Sequence, residues 1–250
     1  MKRCFYKLKS FQFYMMDKPT TTLFMLSSVD GKISTGSTNK LDVDRDFFRI
    51  SGLKNGLKQY YKIERTTDIY SLNSGLVQAK VGANKPQKNL VKLPICFLII
   101  DNKPHLNKTG VDNFIRKSKK LFIITTNNNH PAFLRKDADN LKIIYYKKEI
   151  DFKDLFRKLR QDFGIKRMTI QTGGTLNAIF LRNKLIDKIS IVVAPTLIGG
   201  KDTPSLIDGK SLSSVKELNK IKVLKLTEVK KLNDSYLHLK YDVINDTKID

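Results

Sequence analysis

Tryptophan is absent from this chain of 250 residues, cysteine occurs twice and histidine three times. Cys4 near the start and Cys96 inside an apolar strand cannot make a disulfide framework, and so little cysteine suits a reducing cytoplasm. His105, His130 and His238 stand in separate segments without ligand spacing, which argues against a metal site. Long apolar runs are missing too. The longest is Ile95 to Ile100, far below the roughly 20 residues of a membrane-spanning helix, so no membrane partner is expected. There is no nucleophile elbow and no Walker lysine. Acidic residues are scarce, 24 against 47 basic, for a net charge of +23. Ten of the basic residues are arginine and 37 are lysine, dispersed along the chain. Specific nucleic-acid readers favour arginine over lysine, interleaved aromatics and a recognisable module, and no such arrangement is found, so no specific nucleic-acid partner is expected. Weak, salt-sensitive binding to polyanions remains a consequence of the charge.

What is present is an ordinary globular composition, 40% hydrophobic and 28% charged, with enough chain for one large core. Residues 1–17 read as a basic extension, because Lys7 and Lys9 interrupt what a signal peptide would need as an unbroken apolar stretch. Residues 18–244 read as one domain and 245–250 as a tail. The organising stretch is Ile165 to Lys201. Arg167 to Gln171 is a β-branched run that stops at Thr172-Gly173-Gly174, after which Leu176, Ile179 and Phe180 recur at helical spacing. This is strand, glycine turn, helix. Lys188 to Ala194 is a second strand, followed by Gly199-Gly200. Both glycine pairs therefore sit past the ends of strands, the edge where open α/β sheets bind ligands. The first also aims a helix N-terminus outward, which favours a phosphate.

Thr20 to Leu26 reads as the first strand, broken by Ser27-Ser28-Val29-Asp30-Gly31-Lys32. Asp30 falls at the same sheet edge, where it serves either as a turn residue or as an acceptor for an amino-substituted heterocycle. Asp42 to Glu64 reads as helical, capped by Asp42 or Asp44 and interrupted at Gly52 and Gly56. Asp68 to Leu72 is a strand ending in an Asn73-Ser74-Gly75 turn, and Lys80 to Lys92 is a loop. Pro94 to Ile100, Leu121 to Thr125 and Leu141 to Tyr146 are strands. Helices are expected at Val111 to Lys117, briefly from Pro131, and after Asp151, where Phe152, Leu155, Phe156 and Leu159 share a face that ends at Gly164. Lys222 to Val229 and Tyr236 to Val243 lack a helix between them and form an antiparallel hairpin on an otherwise parallel sheet.

Three pieces in order, SSVDGKIS, TIQTGGTLN and LIDKISIVVAPTLIGGKDTP, resemble the reductase domain of riboflavin biosynthesis. That domain forms the C-terminal half of a bifunctional pyrimidine deaminase and reductase. The resemblance covers nearly all of the chain after Lys18, and the zinc pattern of the deaminase half is absent from this sequence. It implies a dihydrofolate reductase-like α/β fold of three layers, with a mixed, mostly parallel sheet flanked by helices. It further implies NADPH as cofactor, a small-molecule substrate, a homodimer, and reduction of 5-amino-6-(5-phosphoribosylamino)uracil or its 2,5-diamino precursor. Carried over by position, Gly173, Gly174, Thr175, Leu176 and Asn177 hold cofactor phosphates, Asp30 and Gln171 are the catalytic candidates, and Asn73 is a substrate-binding candidate. Gln171 stands where the family usually has Glu, and Phe24 where many members have a strand lysine. Asn73 through Gly82 replaces a G-x-x-T-x-x-x-D-x-P pattern. The arginine that usually ends the long helix gives way to Glu64-Arg65, leaving Arg65, Lys80 and Lys85 as candidates for the substrate phosphate. The rival readings are a reductase of another pterin or carbonyl substrate, and a nucleotide-binding module without catalysis.

Overall fold

The structure, a computed structural model, describes residues 17–249; the basic extension before Asp17 and its Cys4 lie outside the described residues. The chain runs β1 (Thr20–Ser28), α1 (Val43–Asp46), a 3-10 turn at Phe47–Arg49, α2 (Lys54–Glu64), β2 (Tyr70–Ser74), α3 (Gly75–Lys80) and β3 (Cys96–Ile100). It continues through α4 (Lys108–Lys117), β4 (Lys120–Thr125), a 3-10 turn at Pro131–Arg135, β5 (Leu141–Tyr145), α5 (Phe152–Gln161), β6 (Arg167–Gln171), α6 (Gly174–Arg182) and β7 (Lys188–Ala194). A 3-10 turn at Val215–Lys220 precedes the hairpin β8 (Val223–Lys231) and β9 (Leu237–Ile244).

All nine strands join one sheet in the order β5-β4-β3-β2-β6-β1-β7-β9-β8. The seven strands up to β7 are mutually parallel, and β9 is antiparallel to both β7 and β8. Period-two side-chain alternation splits the core into layers. Leu98, Ile100, Phe122 and Ile124 pack on one face with Leu155, Phe156 and Leu159 of α5 and Phe180 of α6. On the other face, Ile99, Leu121 and Ile123 meet Val111 and Phe114 of α4, while Phe24 and Leu26 meet Leu57 and Tyr60 of α2. Truncating one of these buried phenylalanines to alanine would cost about 3–5 kcal/mol.

Asp42 caps α1 by accepting from the Asp44 N–H, and Gly52, at φ +86°, breaks the helical run before α2. The turn expected at Asn73-Ser74-Gly75 is instead the end of β2 running straight into α3. Ser74 caps that helix, its hydroxyl accepting from the Val77 N–H. Gly75 opens it because the Asp101 carboxylate fills the space a Cβ would take. Asp151 caps α5 through the Lys153 and Asp154 N–H groups. Among the described residues no helix is long and apolar enough to cross a membrane.

Candidate functional site

β6 lies between β1 and β2, and the helix after β6 packs on the sheet face opposite α2 and α4, so a crevice opens at the strands' C-terminal ends. That crevice is a cleft of about 850 Å³ lined from β1, α1, α2, β2, α3, the β3 loop and the glycine turn. Its size lies toward the upper end of ordinary ligand sites, about 300–1,000 Å³.

The turn after β6 forms the middle of the cleft wall. Gly173 caps α6 with no side chain of its own, and the N–H groups of Gly174, Thr175 and Leu176 find no acceptor among the described residues. A Cβ on Gly173 would meet nothing, so the backbone here is open to a ligand. Gly174 is glycine for a different reason. A Cβ there would strike the Ser205 carbonyl and the Asp208 carboxylate, and the Asp208 N–H donates to the Gly174 carbonyl at 3.0 Å. Asn177 departs from its expected role. It is fully buried, accepts from the Thr172 hydroxyl (2.6 Å) and donates to the Leu206 carbonyl (2.9 Å), so it braces the turn against the 205–208 loop and does not face the cleft.

Gln171 lines the cleft at the base of that turn. Its Oε1 accepts from the Ser71 hydroxyl (2.9 Å) and its Nε2 donates to Glu64 Oε1 (2.7 Å). Asn73, expected to meet substrate, has its side chain engaged within the protein. Its Nδ2 donates to the Ser71 carbonyl and hydroxyl, and its Oδ1 accepts from Gln78 Nε2 at 2.9 Å. Four polar side chains thus donate in one direction, Gln78 to Asn73 to Ser71 to Gln171, and the series ends on the Glu64 carboxylate. Burial pushes the Glu64 carboxyl up, while the Gln171 hydrogen bond and Arg65 pull it back.

Asp30 lies outside the cleft lining. Its carboxylate accepts from the Ser28 hydroxyl (2.5 Å) and from the N–H groups of Ile198 (3.1 Å) and Gly199 (2.6 Å). These bonds, the Ser28 hydroxyl first and Gly199 next, hold its pKa down at about 2. A carboxylate so occupied clasps the end of β1 to the loop after β7, the turn role open to it in the sequence, and it does not face the cleft as an acceptor for a heterocycle.

Two features of the cleft have no counterpart in the sequence pattern. At one end Asp44 receives the Tyr61 hydroxyl at 2.8 Å, and burial together with the neighbouring Asp42 raises its carboxyl to about 6. Lys80 sits beside them, 3.3 Å from Asp42 and donating to Ser34, whereas Arg65 and Lys85 do not line the cleft. At the other end Asp101, fully buried, accepts from His105 Nδ1 (2.9 Å), His130 (3.0 Å) and the N–H groups of His105 and Leu106. His130 Nδ1 accepts from the Ala132 N–H, so its proton resides on Nε2 and the ring is neutral. Although burial raises Asp101, His130, the Leu106 N–H and His105 outweigh it and keep the carboxylate ionised below its usual range. Two histidines that look unrelated in sequence therefore share one carboxylate. Glu64 does leave a trace, since a glutamate in the last turn of a helix opposes the dipole.

The architecture recurs in solved structures. RibD of Acinetobacter baumannii superimposes with a TM-score of 0.65 at 17% identity, over 91% of this chain and 58% of that one. A pyrimidine reductase-like protein of Corynebacterium diphtheriae gives 0.60 at 14% identity, over 91% and 93%. In sequence, the 2,5-diamino-6-ribosylamino-4(3H)-pyrimidinone 5′-phosphate reductase of Methanothermobacter thermautotrophicus is 31% identical over 84 residues, 34% of this chain and 38% of that protein. The riboflavin biosynthesis protein RibD of Buchnera aphidicola subsp. Baizongia pistaciae is 25% identical over 224 residues, 85% of this chain and 58% of that protein. The matched stretches thus span less than two thirds of these relatives' lengths. With residues 19–237 matching the model of the RibD C-terminal domain, the chain belongs to the RibD C-terminal domain family.

Proposed function

We propose that this protein is an NADPH-dependent reductase of riboflavin biosynthesis. Its substrate would be 5-amino-6-(5-phosphoribosylamino)uracil or the 2,5-diamino-pyrimidinone that precedes it. The observation carrying this reading is the strand, glycine turn and helix on the wall of the cleft, within a chain of this family. Three unclaimed N–H groups and the positive end of α6 would hold a pyrophosphate there, and the open face of Gly173 would let it approach. Bound NADPH supplies the hydride. The protein's own task is orientation and proton supply. Gln171 and Glu64 face the pyrimidine, while Asp44, with a pKa of about 6, holds a proton that can pass to the ribose ring oxygen as the sugar opens. Lys80 is the cation best placed for the substrate phosphate.

Single-turnover consumption of NADPH, measured separately with the two flavin precursors and with dihydrofolate, tests the reading. Oxidation with either flavin precursor is expected; oxidation with dihydrofolate alone would overturn it. Turnover should fall as pH rises through about 6, where Asp44 gives up its proton.

A homodimer fits the same reading. The outermost strand β8 exposes Val223, Leu224, Leu226 and Val229, an apolar edge that invites pairing with a second copy. Light scattering should give twice the 28.7 kDa chain mass, and a monomer at micromolar concentration would refute it. A cytoplasmic location accords with the buried free thiol of Cys96.

A further inference from the structure

We infer that Glu64 is the specificity-determining carboxylate of the site, reading the donor edge of a 2-amino-pyrimidinone and so selecting the diamino substrate over its 2-oxo counterpart. This rests on the reductase reading above and deepens it.

The geometry starts from the one-way series of hydrogen bonds along the cleft wall. Asn73 is pinned by Gln78 and Ser71, Ser71 points its hydroxyl at Gln171, and Gln171 is left with only its amide N–H₂ to present to Glu64. A hydroxyl and an amide in this order can end only on an acceptor, a place that Oε1 of the Glu64 carboxyl fills. Glu64 Oε1 takes that bond at 2.7 Å, and Oε2 accepts from none of the described residues while the residue lines the cleft. The site therefore holds a partly desolvated carboxylate, fixed in place with one oxygen free for a ligand. Its anchor, Gln171, stands two residues before the open Gly173.

The two precursors differ at C2. The diamino compound presents the ring N3–H beside an exocyclic amino group, two adjacent donors that match a carboxylate and form charge-assisted bonds with it. In the uracil the N3–H is flanked by two carbonyls, so a carboxylate approaching that edge meets oxygen lone pairs on either side. Such a site rejects the wrong isostere by leaving acceptor against acceptor. The surroundings reinforce the choice. The cation at this end of the cleft, Lys80, pairs with Asp42 and not with Glu64.

The experiment measures kcat/KM for both precursors in the wild-type protein, in Glu64→Gln, and in the exchange variant carrying Glu64→Gln with Gln171→Glu. The wild type should prefer the diamino compound. In Glu64→Gln that preference should fall by about ten- to a hundredfold, the worth of a charge-assisted hydrogen bond, through KM more than kcat and with NADPH affinity unchanged. The exchange variant returns the carboxylate across the same hydrogen bond and should recover part of the preference, which also guards against a folding defect in the single variant. A wild type that prefers the 2-oxo compound, or equal losses on both compounds in Glu64→Gln, would overturn the inference and leave the reductase reading standing. Turnover of neither precursor by the wild type would remove both.

Discussion

The two glycine pairs, Gly173-Gly174 after β6 and Gly199-Gly200 after β7, look alike in sequence and do opposite things. The first keeps ordinary backbone angles at its cap, with φ −76° at Gly173, and opens a helix whose leading N–H groups stay unclaimed. The second has φ +70° and +84°, is followed by no helix, and loses its Gly199 N–H to Asp30. One pair leaves donors for a ligand and the other uses its donor to fasten a loop. The element that comes after a glycine pair, and the acceptor within its reach, decide its role more than the glycines themselves.

The largest effect should come from Gly174→Val set beside Gly173→Ala. Valine at 174 meets the Ser205 carbonyl and Asp208, so it should displace the 205–208 loop, cost about 1–3 kcal/mol as overpacking, and spoil the turn. Its NADPH affinity should drop by well over tenfold, about 1.4 kcal/mol for each decade. Alanine at 173 has room and should leave the melting temperature alone while weakening NADPH modestly. Fluorescence titration with a thermal melt on each checks this; wild-type affinity in a folded Gly174→Val protein would mean the cofactor lies elsewhere.

Next in size is Gly199→Ala. With φ +70° and open space around it, the added methyl should cost about 1–2 kcal/mol of stability from the left-handed backbone alone. NADPH affinity should not move, and a loss comparable to that of Gly174→Val would erase the distinction between the two pairs.

The smallest effect on turnover should be that of Asp30→Asn. As a clasp, its loss should fall far short of the about 10²–10⁴-fold that removal of a general acid or base brings. Hydrogen exchange at the Gly199 amide should instead accelerate. The pH dependence of stability points the same way. Because its pKa is lowered from 3.8 to about 2 in the folded protein, Asp30 contributes stability above pH 3.8 that is lost as pH falls toward 2. The variant should flatten that acid limb.

Much of the architecture was legible because period-two runs and glycine stops are local. β6 and β7 begin and end where their alternation does. Helix α3 escaped notice because six residues behind a serine cap carry too short a pattern to separate from a turn. The candidate site was legible where it depends on backbone, in the strand, glycine turn and helix at Gly173 and Gly174, and illegible where it depends on convergence. Glu64 and Gln171 are 107 residues apart, and His130 reaches Asp101 across 29. No spacing rule spans such separations, and the Asp30 carboxylate gave no hint that loop N–H groups 168 and 169 residues away would claim it.

The strand order has a consequence for how the chain is made. β1 pairs only with β6 and β7, so the first strand of the sheet to be made has no neighbour until roughly 140 more residues have been translated. At about 5–20 residues per second that is a wait of about 7–30 seconds. β2, β3, β4 and β5 meanwhile pair in the order they appear, each with its successor. The outer half of the sheet is thus free to assemble during synthesis, whereas Leu23, on the face opposite α2, waits for β6 to be inserted beside it. The ligand cleft, bounded by β1 and β6 together, takes shape only once β6 is in place.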